Sequence, residues 1–139
     1  MKIPRILLSA ALALAALFSL SSCEKDTELK GLVQVGEEAY AHYKTADYAT
    51  AKASLLKFID ELERQMPKDP AVQGIDMYKS DIMVSYVRLA KLEEKNNGPE
   101  KEKYMQQAVR QCQELKIRPD CSPQALRTRV DRIDELPTK

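Results

Sequence analysis

The sequence predicts an all-α protein of about five antiparallel helices. Apolar residues recur at spacings of three and four almost throughout the chain. No run alternates apolar with polar residues in the manner of a half-buried strand. Pro67, the stretch Asn96-Asn97-Gly98-Pro99 and the pair Ser122-Pro123 punctuate the chain at helix-length intervals, and the short loops between them favour antiparallel neighbours.

A first helix is expected near Thr27 to Thr45, with Leu29, Leu32, Val33, Gly36, Tyr40 and Tyr43 on one stripe. A second, from about Tyr48 to Met66, carries Tyr48, Ala51, Leu55, Phe58, Ile59 and Leu62, and Pro67 ends it. Asp69-Pro70 reads as a cap followed by proline at the first helical position, where a missing N–H costs nothing. From there a long third helix is expected, striped by Ala71, Ile75, Tyr78, Ile82, Tyr86, Leu89 and Leu92 and stopped by a left-handed turn at Asn96 to Pro99. Helix four, about Glu100 to Lys116, turns Tyr104, Met105, Ala108, Cys112 and Leu115 inward. Ser122-Pro123 repeats the cap-plus-proline signal and opens a last helix bearing Leu126, Val130 and Ile133.

Ahead of these helices stands a leader in three parts: Lys2 and Arg5, an apolar stretch from Ile6 to Leu20, and small residues before Cys23. Roughly 15 apolar-rich residues are too few for a comfortable transmembrane helix, which needs about 20, so processing is expected rather than spanning. The segment Leu20-Ser21-Ser22-Cys23 resembles the lipobox of bacterial lipoprotein signal peptides. The resemblance implies diacylglyceryl transfer to the Cys23 thiol, cleavage between Ser22 and Cys23, and acylation of the new amine. Three acyl chains would hold the mature protein on a membrane, since two already anchor stably. Residues 1–22 would then be the signal peptide, 23–28 the lipidated cysteine and a short polar tether, and 29–136 a single helical domain. In such lipoproteins Asp directly after the lipidated Cys tends to signal inner-membrane retention. Glu24 stands there in this chain, so the resemblance favours the outer membrane. In other bacterial groups an acidic cluster such as Glu24-Lys25-Asp26 resembles a surface-export signal, which leaves the periplasmic or surface-facing side open.

Within the domain, Ala39, Tyr43, Ala46-Asp47-Tyr48, Ala51, Leu55 and Phe58 resemble the tetratricopeptide pattern, in a degenerate form. Ala46 stands where the family's turn carries Gly, Phe58 replaces a small residue, and the family's proline position near Glu63 is missed. A second unit matches more weakly on Tyr86, Leu89 and Ala90, then Tyr104, Met105 and Ala108, with its turn lengthened around Gly98 and Lys101 at a small-residue position. The last helix would be the capping helix that repeat arrays require. The resemblance implies a binding scaffold whose groove is lined by the first helix of each hairpin. On this chain the groove positions are Gly36, Tyr40, Tyr43 and Lys44, then Arg88, Lys91 and Lys95. Their aromatic and cationic mixture suits an acidic or carboxylate-ended peptide. A solvated face of stacked cations is the plainer reading of the same residues.

With Cys23 lipidated, Cys112 and Cys121 remain as an even pair in an oxidising compartment. A disulfide between them would close a loop of roughly 10 residues and contribute about 2.5 kcal/mol. Two unbonded thiols, or a reactive Cys121 near a helix N-terminus, are the alternatives. The formal charge of +1 becomes −1 when Lys2 and Arg5 leave, so neither nucleic-acid binding nor attraction to an anionic membrane surface is expected.

No catalytic residue is expected. His42 is the only histidine, and His42, Cys112 and Cys121 do not make a zinc set. No phosphate-binding glycine loop, nucleophile elbow or C-x-x-C pair occurs, and paired carboxylates such as Glu93-Glu94 read as solvated helix faces. The expected function is that of a lipid-anchored envelope adaptor or assembly subunit with no cofactor beyond the lipid on Cys23. A purely structural helical protein and an envelope enzyme with an unrecognised site are the alternatives.

Overall fold

The computed structural model describes residues 6–117 and 119–137, with side chains from residue 25 onward. Ser22 and Cys23, the expected cleavage and lipidation positions, therefore lie outside the described side chains. Five helices follow one another: α1 (Ile6–Thr45), α2 (Tyr48–Gln65), α3 (Ile75–Lys95), α4 (Lys101–Gln113) and α5 (Pro123–Asp134). No strand occurs among the described residues, so the protein is all-α. The chain divides into two compact units, one up to Gln34 and one from Val35 onward, and the helix-to-helix packing that follows belongs to the second.

α1 is continuous through the residues expected as tether. Of its expected stripe before residue 35, Leu32 is buried while Leu29 and Val33 are more than half exposed. Asp47 caps α2, its carboxylate accepting from Thr50 N at 3.0 Å. Ala51, Leu55, Ile59 and Leu62 form the buried face of α2, as the spacing predicts.

The expected start of α3 at Asp69-Pro70 is corrected by the structure. Asp69 accepts from Ala71 N two residues on, at 2.9 Å, which makes a turn rather than a helix cap. The helix waits for Gly74, whose φ of +92° suits glycine, and begins at Ile75, leaving Ala71 exposed. α3 is the central helix, packed against α2, α4 and α5, and contributes more buried residues than any of these three. Asn97, at φ +53°, supplies the left-handed stop.

Contacts fix the directions. His42 pairs with Ser54, Tyr48 with Glu93, Lys79 with Glu114 and Arg127 with Glu94, so α1 runs antiparallel to α2, α2 to α3, and both α4 and α5 to α3. Ser122 caps α5 by accepting from Ala125 N, and Leu126 and Val130 enter the core. Ile133, expected inward, is instead 38% exposed, because the last turn of α5 leaves the apolar core. Phe58 and Gly36 explain each other. A Cβ on Gly36 would lie 2.9 Å from the Phe58 ring, so the large residue on α2 occupies space left by the missing side chain on α1.

Candidate functional site

Two helices bring the predicted groove residues together. On α1, Tyr40, Tyr43 and Lys44 share a face through their spacing of three and four, and on α3 Arg88, Lys91 and Lys95 do the same. The Arg88 guanidinium lies over the Tyr40 ring at 4.6 Å and near the Tyr43 ring at 5.6 Å, and Lys44 also sits over Tyr40 at 5.7 Å. These contacts are cation–π pairs, which gain strength where water is displaced.

α5 supplies the counterions, which sequence reasoning missed. Arg88 Nη2 donates to Asp134 Oδ1 at 2.7 Å and Lys91 Nζ to Asp131 Oδ1 at 2.5 Å. The backbone carbonyl of Asp134, at the C-terminal end of α5, accepts from Lys44 Nζ at 3.0 Å and from the Tyr40 hydroxyl at 3.4 Å. Cations at a helix C-terminus also complement its dipole. The signal in the sequence was the three-residue spacing of Asp131 and Asp134, which places both on one face of α5.

Beside these contacts opens a cleft of about 580 Å³, lined by Tyr43, Lys44, Lys91 and Lys95 and, from α5, by Arg127, Asp131 and Asp134. A neighbouring, more apolar cleft of about 640 Å³ is lined by Tyr40, Ala41, Leu136 and Pro137, with Lys44 and Asp134 shared between the two. Asp134 Oδ2 is buried and accepts no hydrogen bond among the described residues, lying 3.6 Å from Lys91 Nζ. Burial pushes the Tyr43 phenol above its usual range, with the Lys91 charge opposing it. Burial works against the Lys91 ammonium, but hydrogen bonds to Asp131 and Tyr43 outweigh it and hold its pKa above the usual lysine value. Lys91 is therefore a fixed positive charge at neutral pH.

A second polar cluster lies where α2, α3 and α4 meet, and it corrects the expectation that Glu93 is solvated. Glu93 has no exposed surface. Its carboxylate accepts from Tyr48 Oη at 2.5 Å, Lys52 Nζ at 2.7 Å and Glu100 N at 3.1 Å. Lys52 also reaches Glu100 at 2.6 Å, and Glu100 accepts from Tyr104 and Lys103. Burial opposes ionisation of Glu93, yet the Lys52 and Tyr48 hydrogen bonds hold its pKa below the usual range. Glu100 is lowered to about 2 by hydrogen bonds from Lys103, Lys52 and Tyr104. A Cβ at Gly98 would run into the Glu93 carboxylate, so the loop packs directly against this cluster.

Cys112 and Cys121 are disulfide-bonded, with Cα atoms 5.7 Å apart, and join the end of α4 to the approach of α5. His42 Nδ1 lies 2.6 Å from Ser54 Oγ between α1 and α2. Among the described residues no group of three or more His, Cys, Asp or Glu side chains is placed to hold a metal ion. Among them, too, no helix is long and apolar enough to cross a membrane. No protein-family model, no curated protein and no solved structure matches this chain.

Proposed function

We propose that this chain is an envelope lipoprotein, anchored through lipid on Cys23 to the outer membrane in preference to the inner. In this reading it acts as a protein-protein interaction adaptor or assembly subunit, holding an acidic or carboxylate-ended segment of an envelope partner. The observation that carries the reading is the convergence of Tyr43, Lys44, Lys91 and Lys95 from two helices on one open cleft. Lys and Tyr offer charge-assisted hydrogen bonds and flat contact area to a carboxylate-bearing segment. The antiparallel pairing of α1 with α2 and of α3 with α4 supports reading the domain as two tetratricopeptide-like hairpins with α5 as the cap. The lipobox Leu20 to Cys23 supports the anchor, and anchoring confines a weak binder to a surface where local concentration compensates for modest affinity.

A structural helical protein without a groove is the second reading, favoured by the ion pairs that Arg88 and Lys91 already make with α5. Reversing the two exposed cations, Lys44→Glu with Lys95→Glu, separates the readings without touching the core. Partners co-purified from native envelopes should be lost from the reversed protein, and an unchanged partner profile sinks the adaptor. Separately, Cys23→Ser should release the protein from membranes after a high-salt wash, and continued membrane partition would refute the lipid anchor.

A further inference from the structure

α5 is held in two different ways along its length. At its start the Cys112–Cys121 disulfide ties it to α4, and Leu126 and Val130 are wholly buried. Past Val130 no apolar side chain is buried, since Ile133 is 38% and Leu136 65% exposed. The last turn is held by polar contacts, Asp131 to Lys91, Asp134 to Arg88, and the Asp134 carbonyl to Lys44 and Tyr40, with no fully buried apolar side chain to add to them. Contacts of this kind at a partly wetted rim are screened by salt and open locally at lower cost than a packed core. The fit is also incomplete, because Asp134, with a side chain 8% exposed, lines the cleft while its Oδ2 accepts no hydrogen bond.

We infer that the last turn of α5, which forms one wall of the cleft, is the resident occupant of the cationic face that α1 and α3 present beside it, and that the partner this face takes is a helical turn carrying two carboxylates three residues apart, which displaces the resident turn. Asp131 and Asp134 show the pattern that Lys91 and Arg88 read, and Lys44 and Tyr40 read the carbonyl at a helix C-terminus. An acidic helix end reproduces all of these contacts, and one with another donor or a better angle would improve on them. A tethered occupant competes at an effective concentration on the order of millimolar, so a partner must outbid it or arrive at high local concentration. Displacement uncovers Tyr40 and Arg88, which the resident turn otherwise engages. The inference rests on the adaptor reading for its biological purpose. Its test uses the chain's own sequence as probe, so it can succeed or fail whether or not an envelope partner is found.

The probe is a fluorescent, helix-stapled peptide of residues 127–137, with a control peptide bearing Asn at the positions of Asp131 and Asp134. The full chain carrying Asp131→Asn and Asp134→Asn should bind the acidic probe at least ten-fold more tightly than the unmodified chain, and should bind the control ten-fold more weakly than the acidic probe. Equal affinity of the two chains, or equal affinity for the two peptides, overturns the inference. Hydrogen exchange on the unmodified chain gives an independent reading should the variant fail to fold. Amides of residues 132–136 should exchange at least ten-fold faster than those of 126–130 and faster still when the acidic probe is added in excess, whereas uniform protection along α5, or slower exchange on adding the probe, overturns the inference.

Discussion

Glu93 and Asp134 are both buried carboxylates gripped by a cation from a neighbouring helix, yet one is sealed and the other borders an open cleft. Around Glu93, donors arrive from α2 and from the turn before α4, and Gly98 lets the loop close down on the carboxylate. Around Asp134, the carboxylate comes from the last turn of the last helix, one oxygen is left without a donor, and space remains beside it. The same residue types thus make a structural joint where three elements enclose them and an open polar face where one element merely rests on them. A sealed charge is costly to disturb, because removing one member leaves the others buried and unpaired. An open one can exchange its partner.

The largest effect that would break this comparison is on the sealed side. Glu93→Ala should destabilise the domain by about 3–5 kcal/mol in chemical denaturation, because Lys52, Tyr48 and the Glu100 N–H lose their acceptor. The same joint sets the acid response. Glu93 and Glu100 are both held below the ordinary carboxylate pKa of 4.5, Glu100 at about 2. Their stabilisation is therefore complete above about pH 4.5 and is lost as pH falls toward and through their folded-state values. The thermal midpoint should accordingly fall between pH 4.5 and 2, and in Glu93→Gln the fall should be shallower.

Opening the staple comes next. Cys112→Ser with Cys121→Ser should cost about 2.5 kcal/mol in urea unfolding by the loop-entropy relation, and should raise hydrogen exchange in α5 more than in α2. Asp134→Asn, on the open side, should cost about 2 kcal/mol, the scale of charged hydrogen bonds to Arg88, and leave the α2–α4 joint intact. A loss as large as that of Glu93→Ala would erase the distinction between the clusters. Smallest of all, Lys91→Ala should cost at most about 1 kcal/mol, less at high salt, since its partner Asp131 is half exposed.

Much of the fold was legible because local signals coincide with tertiary demand. Ser122 caps the helix it was expected to cap, and the buried faces of α2 and α4 follow their apolar spacing. Asp69-Pro70 misled because a short acid can satisfy a nearby N–H in a turn as well as in a cap, and the choice fell to Gly74. Phe58 looked like a departure from a repeat pattern until Gly36 across the hairpin made room for it. The cations of the candidate site were readable from spacing along α1 and α3. Their counterions were not, since Asp131 and Asp134 reach them only after the α4–α5 turn brings the last helix back along α3. Glu93 was hidden for the same reason: its burial is decided by Tyr48 and Lys52, more than 40 residues earlier in the chain.

The contrast between an open and a sealed polar face is tested most directly by photo-crosslinkers placed at Lys95, beside the cleft, and at Lys103, an exposed lysine on the sealed cluster. Irradiation of native envelopes should yield a discrete partner adduct from position 95, competed away by the acidic helical peptide, and none from position 103. Equal labelling from both positions, or adducts from 103 alone, would contradict the assignment of the cleft as the binding face.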